Sequence, residues 1–166
     1  MSIDNLNSGE ALEKMTKMVT DIDFAMLLTD LKSQPISAVP MSTKKVDDKG
    51  NIWFLSGLNS DHNTNIVNSP AVQLLYSDIS DMEFISIYGR ATIVADPSIL
   101  QELYERSDDA WFTGEDDPNL TAIKVIPEEA YYWDNKHNKY ISLFKMGVAA
   151  ITGNKADVGE KGRLKL

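Results

Sequence analysis

The chain has no cysteine and only two histidines, His62 and His137. Disulfides, thiolate metal sites and a cysteine nucleophile are thereby excluded, and the usual zinc ligand sets lack their residues. Basic residues are also few: 16 Lys and Arg stand against 25 Asp and Glu, a formal net charge of −9 at pH 7. Such a chain is repelled by phosphate backbones and anionic bilayers, so neither nucleic acid nor membrane is an expected partner. No apolar run reaches the length of a membrane span, and Asp4, Glu10 and Glu13 interrupt the first twenty residues, unlike a signal-peptide core. The expected location is the cytoplasm. Walker, dinucleotide-glycine and catalytic-triad patterns are missing too, and no metal ligands cluster.

What is present suits one globular domain spanning 1–166: 166 residues, 43% of them hydrophobic and 25% charged. Ser8 is a candidate N-cap for a helix over 9–19, with Ala11, Leu12, Met15, Met18 and Val19 on one face. The helical pattern fails from Ile22 to Asp30. Ser33, Gln34 and Pro35 then make a turn, and Ile36 to Lys45 alternates as a strand does. Turn residues 47–51 precede a strand from Ile52 to Ser56, which makes a hairpin. Asn59 or Ser60 can cap a short helix over 61–68 that Pro70 stops.

Strands follow from Val72 to Tyr76 and from Met82 to Val94, with Gly89 marking a bulge or a close approach in the second. Asp96 and Pro97 start a helix over 97–106. Thr121 to Ile126 and Glu129 to Asp134 read as two strands broken by Pro127. Ile141, Phe144, Val148 and Ile151 have helical spacing, and 154–166 reads as a polar tail beyond a core of about 10–153. Six or seven short strands joined by hairpin-length turns predict a mainly β class, a small antiparallel barrel with covering helices.

The acidic pairs Asp47 and Asp48, Asp108 and Asp109, Asp116 and Asp117, and Glu128 and Glu129 lie beside turn residues and read as solvated loops. The aromatic residues Trp53, Phe54, Trp111, Phe112, Tyr131, Tyr132 and Trp133 suit either a core, an interface or a planar ligand. Composition and spacing leave the function open at this point.

The ordered words Val39 Pro40 Met41, Ile52 Trp53 Phe54 Leu55 Ser56, Ser60 Asp61 His62 and Asn68 Ser69 Pro70 carry a family resemblance. It continues through Tyr88 Gly89 Arg90 Ala91, Ala110 Trp111 Phe112, Asp116 Asp117 Pro118 Asn119 Leu120 and Glu129 Ala130 Tyr131 Tyr132 Trp133 Asp134. Over roughly residues 10–153 the chain resembles the pyridoxamine 5'-phosphate oxidase-related flavoproteins, in their general stress protein branch. The resemblance implies an FMN-binding split β-barrel that forms a homodimer, with FMN in clefts shared by the two subunits. The cofactor positions it implies are Val39, Pro40, Met41 and Lys44, then Leu55 and Ser56, then Ser60, Asp61 and His62, and finally Trp111 and Trp133.

Two of these depart from the family pattern. Relatives hold the FMN phosphate with an Arg where this chain has Val39 and with a Lys where it has His62. Lys44, the Ser56 and Ser60 hydroxyls and the helix start at Asp61 are what remains for an anion. Ser60 serves as a plain cap or as cap and phosphate contact together; His62 serves as a surface residue or as a ligand. Pro40 and Met41 are expected to frame the flavin ring, and Trp111 and Trp133 to approach it, one from each subunit, or else to pack the dimer interface.

True vitamin B6 oxidases carry an Arg and His pair where this chain reads Asn135 Lys136 His137 Asn138 Lys139, so pyridoxamine phosphate oxidation is not expected. The resulting expectation is a flavoprotein oxidoreductase of general stress type, exchanging electrons with a reduced nicotinamide. The alternative is a non-enzymatic ligand-binding stress-response dimer with a weakened cofactor site, and a third is the same barrel holding haem or a deazaflavin. No catalytic acid or base is assigned.

Overall fold

The computed structural model describes residues 2–3, 6–134 and 160–165. The predicted helical spacing at Ile141 to Ile151 and the loop around His137 lie outside them. Helix α1 (Ser8–Ile22) buries Ala11, Met15, Met18 and Val19 and turns Glu10, Glu13 and Lys17 to solvent, as its 3.6-residue period requires. Asp23, with φ of 64°, ends it; a short polar side chain tolerates that left-handed backbone better than most.

The segment whose helical pattern failed is a strand, β3 (Phe24–Thr29), paired antiparallel to β4 (Ser37–Ser42) on one side and to β7 (Ala71–Asp78) on the other. Two-residue β5 (Lys45–Val46) makes the expected hairpin with β6 (Ile52–Gly57). Gly50, with φ of 79°, supplies the turn, and the Asp47 carboxylate gathers the Lys49 and Asn51 backbone amides, the Asn51 amide side chain and the Trp53 indole N–H. Helix α2 (Asp61–Asn68) has the bounds its cap and proline predict. Helix α3 (Pro97–Leu103) is shorter than expected, because one 3₁₀ turn (Arg106–Ala110) takes over beyond Tyr104.

The long strand β8 (Glu83–Val94) pairs with β7 and with β9 (Leu120–Asp134), which is continuous where the sequence predicted a break at Pro127. A register shift resolves the conflict: Tyr88 faces Glu129 and Gly89 faces Pro127, leaving Glu128 as the extra residue of a bulge. A proline that need not donate at a bulge is compatible with the ladder. On its other edge β9 pairs with β6 through its first half and with β10 (Glu160–Lys165) through its last six residues.

Residues 160–165 therefore depart from the polar tail predicted for them. β10 also pairs in parallel with β1 (Ser2–Ile3) and β2 (Leu6–Asn7), and Leu164 is buried in the core. The result is a mainly β, curled antiparallel half-barrel with helices over it, in the strand order β1-β10-β9-β8-β7-β3-β4. Its main core joins α1, β3, β7, β8 and β9 around Leu27, Leu74, Ile85, Ile87 and Tyr132. A smaller cluster, Trp53, Leu100, Leu103, Leu120 and Ala122, lies beneath α3. Among the described residues no helix is long and apolar enough to cross a membrane.

Candidate functional site

β4, β6, the start of α2 and the segment after α3 enclose a cleft of about 350 Å³. That size falls within the range of small-molecule sites. Seven of the expected positions line it together: Pro40, Met41 and Lys44 from β4 and just beyond, Leu55 and Ser56 from β6, His62 from α2, and Trp111. The β-strand period explains part of this convergence. β4 is an edge strand on which Pro40 can sit without a missing ladder bond, while Met41, facing the opposite way, reaches both core and cleft.

Phe112, one of the aromatic residues suited to a planar ligand, completes the lining together with Phe24, Ser42, Gly57 and Asp108, which the sequence does not mark as site residues. Phe24 belongs to the strand that showed no polar alternation, and Asp108 to an acidic pair read as solvated loop. No local signal marks Asp108: Trp111 stands nearer in sequence to Asp109, and it is the contact with Lys44, made only by the fold, that singles Asp108 out.

Four expected positions lie elsewhere. Val39 packs against the main core. Ser60 is the N-cap of α2, its side chain accepting a hydrogen bond from the Asn63 amide at 3.3 Å, and Asp61 stands exposed in the first turn. Trp133 lies on β9 opposite Phe84, on the face of the sheet away from the core, and is 39% exposed.

The polar groups of the cleft divide into engaged and unengaged. The Ser56 hydroxyl turns inward, donating to Asn63 Oδ1 at 2.9 Å and sharing a 2.8 Å bond with Thr121 Oγ1, and Asn63 Nδ2 in turn donates to the Gly57 carbonyl. This buried network fixes α2 on β6 and β9. The Lys44 side chain is only 7% exposed, with Nζ 2.9 Å from Asp108 Oδ2 and 3.0 Å from Glu105 Oε2. Burial opposes its charge, but the hydrogen bonds to both carboxylates outweigh burial and raise its pKa.

His62 differs. Burial lowers its pKa, against a smaller opposing pull from Asp61, so the ring is largely neutral at pH 7. Its Nε2 is buried with no hydrogen-bond partner. A buried polar nitrogen costs free energy when unpaired, so this atom is the cleft's open valence. Among the described residues no group of three His, Asp or Glu could hold a metal ion.

Residues 10–157 match the family model described as "Pyridoxamine 5'-phosphate oxidase like". In structure the chain is similar to the General Stress Protein 26 of Bacillus anthracis str. Sterne, with 25% identity, 73% of this chain and 92% of that one covered, and a TM-score of 0.65. It is also similar to the general stress FMN/FAD binding protein of Xanthomonas citri, with 26% identity, 79% and 93% covered, and a TM-score of 0.67. A protein of Jannaschia sp. CCS1, described as a candidate general stress protein 26, shares the fold at 22% identity and a TM-score of 0.78, over 95% of this chain and 98% of that one. No curated protein matches the sequence at a significant level.

Proposed function

The chain belongs to the pyridoxamine 5'-phosphate oxidase-like family, and from that premise we propose that it is an FMN-binding oxidoreductase of general stress type, accepting electrons from a reduced nicotinamide. The observation that carries this reading is the cleft itself: a largely apolar slot with one lysine and one unpartnered imidazole nitrogen. That donor set suits a planar ring bearing a phosphate. An orphaned nitrogen is a group that a ligand's polar atoms would satisfy, and the fit is therefore chemical as well as steric.

Bound there, FMN would supply the redox chemistry, and the polypeptide its position and surroundings. Pro40, Met41 and Leu55 would frame the ring, Lys44, His62 and the first-turn amides of α2 would hold the phosphate, and Trp111 would cover the mouth. The stretch Asn135 to Lys139 lacks the Arg and His pair of true vitamin B6 oxidases, so the proposal does not extend to pyridoxamine phosphate.

The functional unit in this reading is a homodimer. Phe24, Met26, Leu75, Tyr131 and Trp133 lie exposed on β3, β7 and β9. Their registers place Met26, Leu75 and Tyr131 in one row through Ser86, and Phe24 at the end of that face also lines the cleft. An apolar face of this kind beside a ligand slot suits a second copy that shares in building the site.

The test is an absorption spectrum of the purified protein with mass identification of any released chromophore, followed by anaerobic addition of reduced nicotinamide and sedimentation equilibrium. A flavin spectrum that bleaches, in a dimer, is the expected result. Bound flavin that does not bleach would favour the non-enzymatic dimer, a reading that the neutralised Lys44 and the core-packed Val39 support. A haem spectrum or a colourless protein that takes up no FMN would remove the flavin reading.

A further inference from the structure

Lys44 is the only Lys or Arg among the described residues lining the cleft, and it is already paired. Its two partners come from the same short stretch: Glu105 caps the 3₁₀ turn Arg106–Ala110, and Asp108 sits within it. The stretch holds itself together, since Asp108 Oδ2 accepts the Glu105 amide at 2.8 Å and the Asp108 amide donates to the Glu105 carbonyl at 2.9 Å. Yet none of the 3₁₀ turn's residues is buried, and the next residue, Trp111, is 83% exposed. The Lys44 ion pairs thus tether a peripheral segment to the cleft wall. One lysine between two carboxylates carries a net charge of −1, so an anionic group entering here meets a compensated cation and not a free one.

We infer that Asp108, assisted by Glu105, is an internal counter-ion that sets how strongly the cleft prefers a phosphate-bearing flavin over a phosphate-free one. The inference rests on the flavin reading above and concerns the regulation of that same site. A phosphate that reaches Lys44 must displace Asp108 Oδ2, exchanging one charge-assisted hydrogen bond for another while bringing further negative charge beside Asp108 and Glu105. The phosphate therefore gains less at Lys44 than an unpaired lysine would give it. A ligand lacking the phosphate makes no such exchange. Because Glu105 is the exposed partner and Asp108 the sheltered one, the larger share of the effect falls to Asp108, where solvent screens less.

The experiment is a fluorescence titration of the full chain with FMN and, separately, with riboflavin, at fixed pH and ionic strength, in wild type, Asp108→Asn, Glu105→Gln and Lys44→Met. One charge-assisted bond freed for the phosphate corresponds to about a tenfold change in dissociation constant. The ratio of FMN to riboflavin affinity is expected to rise about tenfold in Asp108→Asn, to rise by about threefold in Glu105→Gln, and to fall below the wild-type value in Lys44→Met. Glu105 is exposed, so its variant keeps the test intact if Asp108→Asn fails to fold. A ratio that stays put or falls in the folded acid variants, with both flavins bound by wild type, overturns the counter-ion inference alone. If wild type binds neither flavin, the flavin reading falls and takes this inference with it.

Discussion

Gly89 and Pro127 face each other across β8 and β9, so closely that a Cβ at residue 89 would stand 2.3 Å from the Ile126 carbonyl oxygen. Both neighbours there are backbone, which cannot rotate away as a side-chain tip could. Gly89→Ala should therefore destabilise the fold by about 2 to 3 kcal/mol, the overlap outweighing the smaller gain from a stiffer unfolded chain. In a protein of this size that is a melting temperature lower by about 5 to 10 °C, measurable by calorimetry. An unchanged melting temperature would show that the bulge is not as tight as described.

Glu83 supplies a pH test of stability. Burial and the negative charge of Asp134 push its pKa from 4.5 up to about 7, with Lys17 and Lys14 pulling less strongly the other way. The folded state thus holds a proton there more tightly than the unfolded chain does, and stability falls as pH rises from about 4.5 to about 7. Glu83→Gln should be no more stable than wild type at pH 4.5 but more stable at pH 8, by about 1 kcal/mol once solvent screening is allowed for. Thermal melts of both proteins across that range check it, and parallel curves would refute it.

His62 tests the placement of the phosphate. With its pKa held down by burial, the ring carries little charge at pH 7, whereas a lysine would carry a full one. His62→Lys should tighten FMN by about tenfold at pH 7.5. Wild type should bind FMN more strongly at pH 6 than at pH 8, since the phosphate favours the protonated ring. Equal affinities in both proteins, flat with pH, would mean that His62 does not face the phosphate.

Trp111 and Trp133 test the shared cleft. Trp111 borders the slot within its own protomer, whereas Trp133 lies outside it on the exposed face of β9. Replacing either by Leu should weaken FMN by about fivefold, an aromatic contact of about 1 kcal/mol, and brighten the bound flavin's emission. If Trp133→Leu changes neither, its indole does not reach a neighbouring protomer's cofactor and the cleft is built from one chain.

The legible parts of this fold were those with a local stop and start signal. α2 carries Ser60 before it and Pro70 after it, and its observed bounds are the predicted ones. β3 had no such signal: Phe24 to Leu28 is apolar at every position, because one face meets the core and the other is an apolar outer surface, so the period-2 alternation that marks a half-buried strand is absent. Pro127 misled for a related reason, since its cost depends on whether the opposite strand carries a bulge, and Gly89 is nearly forty residues away. Asp108 was hidden in the same manner; nothing local distinguishes it from Asp109, and only the fold brings Lys44 to one of them.

β10 is flanked by β9 on one side and by β1 and β2 on the other. Residues 2–3 and 6–7 have no other strand partner among the described residues, so their ladder hydrogen bonds form only once Glu160–Lys165, far downstream, is available. Closing so long a loop costs only a few kcal/mol more than closing a short one, because the entropy grows with the logarithm of length. Its effect is on timing: during translation the side of α1 that meets β10 waits for a strand encoded far downstream of it. A stalled or truncated product ending before residue 160 would leave β9's outer edge beyond Val125 without its partner strand among the described residues, an open template for another chain.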